Sequence, residues 1–127
     1  MSRTVLSING NKPMNYMLQT VLSRKYKILL AGDVFQGMQH LKKNEAIELI
    51  IVDVDMNGDE SWEFVQHVNS SWLYKRPLIV LSSDKAFSAS EKASEAGADY
   101  FFQKPFSPID LIKTIEALLQ TKRIYSA

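Results

Sequence analysis

Asp53, Asp55, Asn57 and Gly58, within the stretch IIVDVDMNGDE at 50–60, set oxygen-bearing side chains at alternate positions and match the opening of a calcium loop, D-x-[DN]-x-[DN]-G. The rest of that loop is missing. A bidentate Glu must stand at the twelfth position, where this chain has Phe64, with Glu63 one place short. The preceding residues, ELIIVDV at 48–54, also read as a buried strand and not as the amphipathic helix that leads into a calcium loop. Asp53 is thus better described as one carboxylate closing a strand. Two further runs close on complementary groups: PLIVLS ends at Ser82, and DYFFQ is followed by Lys104 and Pro105. A carboxylate can attack a phosphoryl group, a hydroxyl can donate to its oxygens, and an ammonium can offset its charge. The three together suit phosphoryl acceptance.

Five apolar runs must position these groups: residues 4–8, 26–31, 48–54, 77–82 and 99–103, rich in branched and aromatic side chains. Three are almost continuously apolar, as strands covered on both faces are, which points to a parallel sheet. Between the runs, Met14, Met17, Leu18, Val21 and Leu22 share one helix face, Val34, Met38 and Leu41 a second, and Val65, Val68 and Trp72 a third. A fourth helix, roughly 86–96, offers only Ala89, Ala93 and Ala96 to the core and stops at Gly97, so it is expected to be held less firmly than its neighbours. The last begins with Ser107 as cap, Pro108 in the first turn and Asp110 closing a capping box, and buries Leu111, Ile112, Ile115, Leu118 and Leu119. Strands alternating with helices imply right-handed crossovers and a doubly wound α/β domain. Function in such sheets gathers at the carboxyl ends of the strands, here the loops at 9–11, 53–60, 82–84 and 103–106.

The 127 residues suit a single domain, 1–127, and 46% hydrophobic with 23% charged residues is an ordinary globular balance. A formal net charge of +1 gives no field to attract nucleic acid or an anionic membrane, and the basic clusters at 23–27 and 121–125 read as solvated surface. The absence of cysteine removes disulfides, thiolate nucleophiles and cysteine-ligated zinc. The opening residues turn polar too soon for a signal peptide or membrane helix, so a soluble, cytoplasmic protein is expected. Neither G-x-G-x-x-G nor G-x-x-x-x-G-K-[ST] is present, and His40 and His67 fall on predicted helices away from the strand ends, which argues against a nucleotide-binding enzyme.

Over essentially its whole length the chain resembles the receiver domains of two-component response regulators. The resemblance is carried by LIIVDVDMNG, PLIVLSS and AGADYFFQKPFSPIDL. It implies a flavodoxin-like fold, a five-stranded parallel sheet in the order 2-1-3-4-5 with five helices. It also implies a phosphoacceptor at Asp53 with Met56 three residues beyond, a switch hydroxyl at Ser82 followed by the small Ser83, a switch aromatic at Phe101, and a lysine at Lys104 that pairs with the acceptor and its phosphoryl group. The Lys104–Pro105 bond would be cis. Implied partners are a histidine kinase or other signalling protein, and a second copy of the chain through the fourth helix, fifth strand and fifth helix.

One departure matters most. Receivers carry two acids at the end of the first strand which, with the acceptor, hold Mg²⁺; this chain has Asn9 and Gly10 there. Magnesium prefers anionic oxygen in near-octahedral geometry and sheds water reluctantly, so losing two carboxylates removes much of its affinity. Asp53 and Asp55 are the remaining candidate ligands, with Asp55 expected to point toward the mouth of the site. Asn57 and DESW also replace the usual Pro and Gly-bearing turn. The expectation is a degenerate receiver that works by protein interaction, with no cofactor and Asp53–Lys104 as an internal ion pair. The alternative is a conventional receiver, phosphorylated on Asp53 by a partner histidine kinase with Mg²⁺.

Overall fold

The computed structural model describes residues 3–43, 46–55, 58–83 and 87–126, with backbone alone for Phe87 and residues 121–126. The expectations placed on Met56, Asn57, Asp84 and the basic cluster at 121–125 lie outside the described residues or side chains.

The five apolar runs form strands β1 (Arg3–Ile8), β2 (Tyr26–Ala31), β3 (Ile47–Asp53), β4 (Leu78–Ser82) and β5 (Tyr100–Gln103). Helices α1 (Lys12–Leu22), α2 (Val34–Lys42), α3 (Gly58–Ser70), α4 (Phe87–Ala96) and α5 (Pro108–Ser126) alternate with them. All four neighbouring pairs are parallel, in the order β2-β1-β3-β4-β5. The three central strands, β1, β3 and β4, are also the ones buried along nearly their whole length, because helices cover both of their faces.

Strand alternation divides the core in two. Leu6, Ile8, Ile50, Val52 and Val80 pack beneath Leu41 of α2, Phe64 and Val68 of α3, and Ala93 of α4. Val5, Leu49, Ile51, Ile79 and Leu81 pack beneath Leu18 and Leu22 of α1 and Leu111 and Ile115 of α5. Gly37 lets α2 settle onto β1, since a Cβ there would lie 2.4 Å from Ile8 Cδ1.

The expected helix faces hold with one exception. Trp72 does not belong to the buried stripe of α3: that helix ends at Ser70, and Trp72 is 95% exposed. The N–H of Ser71 donates to Val68 O, and Ser71 Oγ accepts from the N–H of Tyr74 at 3.1 Å, so the chain turns before the Trp72 position can reach the core. Ala89, Ala93 and Ala96 are buried as expected. Gly97 has φ of 97°, and a Cβ would lie 2.1 Å from the Asn69 side chain, so handedness and space both demand glycine. Ser107 Oγ accepts the Asp110 N–H at 3.4 Å, which supplies the cap at the start of α5.

Candidate functional site

The carboxyl ends of β1, β3, β4 and β5 meet at one edge. At the end of β1, the Asn9 N–H donates to Ala31 O, continuing the ladder one residue past the strand. Its side chain is turned back on its own loop: Asn9 Oδ1 accepts from the Asn11 N–H at 2.8 Å, and Asn15 Nδ2 donates to the Asn9 carbonyl at 2.8 Å. Asn11 in turn caps α1 by accepting the Met14 N–H. With its oxygen committed, the buried Asn9 amide presents Nδ2, which has no acceptor among the described residues. Asn9 and Gly10 border a cavity of about 30 Å³, lined also by Asp33, Asp53, Glu60 and Ser61, room for roughly one or two waters.

Asp53 closes β3 and is only 7% exposed. Its Oδ2 accepts from Lys104 Nζ, and its Oδ1 accepts from the Asp55 N–H at 2.9 Å. Asp55 does not simply face the mouth of the site. Its carboxylate bridges across to β4 and β5: Oδ1 accepts from Ser82 Oγ at 3.1 Å and from the Ser83 N–H at 2.9 Å, and Oδ2 accepts from Lys104 Nζ at 2.9 Å. Among the described residues, one ammonium therefore serves two carboxylates. The backbone knits the same edge together, since the Lys104 N–H donates to Ser82 O and the Val54 N–H to Leu81 O.

The charges respond to this geometry. Burial pushes the Asp55 carboxyl up, but the Lys104 ammonium and the Ser83 N–H together outweigh it and hold the group below the usual carboxylate range. For Lys104, burial works downward and is outweighed by hydrogen bonds to Asp53 and Asp55, so the ammonium titrates above an ordinary lysine.

Asp53, Ser82 and Lys104, singled out from the sequence, are brought together. Phe101 is half-buried against the core face beneath α2, α3 and α4, in register with Val80 of β4. The Lys104–Pro105 bond is cis. Asp55, a residual metal candidate from the sequence, instead joins the end of β3 to the ends of β4 and β5. Its spacing of two from Asp53 was the available signal, because alternate residues of an extended segment share a side. Beyond Asp55 lies an open groove of about 470 Å³ lined by Val54, Trp62, Ser82, Ser88, Ala89 and Lys92. Lys92 Nζ sits 5.2 Å from the centre of the Trp62 ring. His67 is exposed on α3 and His40 half-buried on α2, both away from the edge.

The doubly wound sheet gathers a carboxylate, a hydroxyl and an ammonium at its carboxyl edge, the kinds of group that can engage a phosphoryl group. The response regulator receiver domain model matches residues 5–116, and the chain belongs to that family. It is 28% identical over 121 residues to the response regulator GtcR of Aneurinibacillus migulanus, covering 94% of this chain and 49% of that protein. It is 26% identical over 115 residues to the heme response regulator HssR of Staphylococcus haemolyticus, covering 91% and 50%. The chain spans about half the length of the curated relatives it matches.

Among solved structures, the chemotaxis protein CheY4 of Vibrio cholerae superposes with a TM-score of 0.82 at 25% identity, covering 93% of this chain and 99% of that one. A response regulator from Thermotoga maritima superposes with a TM-score of 0.83 at 20% identity, covering 94% and 99%. The flavodoxin-like order expected from the resemblance is the one observed. This is a receiver domain of two-component signalling, a family of modules that work with histidine kinases and other signalling proteins. No described helix is long and apolar enough to cross a membrane.

Proposed function

We propose that this receiver is a degenerate one, a protein-interaction module of two-component signalling whose state does not depend on Mg²⁺-assisted phosphorylation of Asp53. The observation that carries the reading is the end of β1. Asn9 has spent its oxygen on Asn11 and offers an N–H donor, and Gly10 has no side chain at all. A divalent cation needs acceptors at those positions, so the residues present do not fit Mg²⁺. Asp53 and Asp55, the candidates left by the sequence, are both engaged by Lys104, and although Asp33 and Glu60 also border the cavity, the described residues form no cluster of three acidic or histidine ligands. Among the described residues, a phosphoryl dianion approaching Asp53 then meets two carboxylates that share one ammonium, and repulsion opposes its transfer.

In this reading Asp53 and Lys104 act as an ion pair that orders the edge, Ser82 joins β4 to the same network, and Phe101 completes the core beside it. The working surface is the face of α4, β5 and α5. There Tyr100 is exposed, its ring centre 4.9 Å from that of the buried Phe102, whose ring is tilted in turn against Phe106 at 5.5 Å. A histidine kinase, another signalling protein or a second copy would dock on it. The domain, taken as 1–127, works in the cytoplasm without catalysing a reaction and without contacting nucleic acid or membrane.

Intact mass after incubation with Mg²⁺ and a small phosphodonor tests the proposal: no gain is expected, and a stoichiometric phosphoryl group on Asp53 refutes it. One observation favours the second reading, a conventional receiver phosphorylated by a partner kinase: Asp53, Ser82 and Lys104 still converge. That reading requires Asp53→Asn to abolish signalling with the fold intact, whereas the degenerate module keeps its output.

A further inference from the structure

We infer that Asp55 is a built-in anion: its carboxylate fills the oxyanion subsite at the sheet edge and holds Ser82, Ser83 and Lys104 as a phosphoryl group on Asp53 would. The inference deepens the reading of a phosphate-independent module and rests on it. Three donors of different kinds, a hydroxyl, a backbone N–H and an ammonium, converge on this one carboxylate within 2.9–3.1 Å. That is the donor set an oxyanion beside Asp53 would use.

A simple ion pair would need only Lys104, which Asp53 already engages. The second carboxylate adds Ser82, at the end of another strand, and Ser83 just beyond it. Asp55 is tethered in place as well, because its own N–H donates to Asp53 Oδ1 at 2.9 Å. A tethered carboxylate has a high effective concentration at the subsite, so a free oxyanion competes poorly. The contact also reaches the working surface. Ser82 ends β4 and Ser83 follows it, the Lys104 N–H donates to Ser82 O, and Ser82 is in register with Gln103 of β5. The position of Asp55 therefore fixes the β4–β5 edge.

The test compares the full chain with Asp55→Ala by amide hydrogen exchange in rising inorganic phosphate, without Mg²⁺. In the variant the Ser83 amide is expected to exchange about tenfold faster, the loss of one charge-assisted hydrogen bond. Phosphate is expected to restore protection there saturably, and to leave Ser83 of the unaltered protein unchanged. Asp59→Ala removes an exposed carboxylate from the start of α3 and should behave as the unaltered protein does. If alanine at position 55 prevents folding, Asp55→Ser supplies the same comparison. Unchanged Ser83 exchange in the variant, or a phosphate response equal in both proteins or absent from both, overturns the inference. Failure of the underlying reading registers separately, as a phosphoryl mass gain on Asp53 of the unaltered protein.

Discussion

The chemistry of the edge turns on how one ammonium is shared. Lys104 and Asp53 have side chains only 15% and 4% exposed, so removing the cation strands a buried carboxylate. Lys104→Met is expected to destabilise the fold by about 3 kcal/mol, as broken buried pairs do, measured by urea unfolding at neutral pH. Adding Asp53→Asn removes the stranded charge and should recover much of that loss, which a double-mutant cycle would read.

Asp55 makes a different prediction. Because its carboxyl is held below the usual range, its contribution is fully present above the unfolded value of about 3.9 and is lost as pH falls through the folded value. The stability difference between the unaltered protein and Asp55→Ala should be flat near neutrality and shrink below about pH 4. Urea unfolding at a series of pH values checks this, and a difference that grows in acid would contradict the contacts described.

The residues of the edge were legible from the sequence to different degrees. Asp53, Ser82 and Lys104 each close an apolar run, so strand periodicity places them. Asp55 lies two residues past the end of β3, where the ladder no longer dictates which way a side chain turns, and its partners come from residues 82, 83 and 104. The spacing of two hints that Asp55 shares a side with Asp53, but nothing local in the sequence names its partners on the neighbouring loops.

At the scale of elements, α4 is the piece to watch. It buries alanines where α1 and α5 bury leucines and isoleucines, so it has less apolar area to hold it down. Amide exchange in α4 should be faster than in the central turns of α1 and α5, and equal protection would show that something other than apolar burial secures it. Gly97→Ala would force a side chain into a left-handed backbone and onto Asn69, costing about 2 kcal/mol in chemical unfolding. The strands were readable because runs covered on both faces leave no polar alternation to confuse them. Trp72 was misplaced for the opposite reason. Helical spacing continues formally through Val65, Val68 and Trp72, but the Ser70–Ser71 step ends the helix with hydrogen bonds that apolar spacing does not register.

For the molecule as a whole, the sheet carries the site on one edge and the proposed partner surface on another side, joined through β4 and β5. Tyr100, exposed and resting against the buried Phe102 ring, gives that surface its apolar centre, and an exposed aromatic of this kind anchors protein contacts. Tyr100→Glu is expected to weaken partner binding, or self-association in sedimentation, by roughly tenfold or more while leaving the thermal transition nearly unchanged. Unaltered association would move the working surface elsewhere.

A degenerate receiver requires that the end of β1 supply too little anionic oxygen to hold a divalent cation beside Asp53. Calorimetric titration with Mg²⁺ of the unaltered protein and of Asn9→Asp/Gly10→Asp tests it most directly. No saturable binding at millimolar Mg²⁺ is expected for the first and saturable binding for the second. Saturable binding by the unaltered protein that Asp53→Asn abolishes would contradict it.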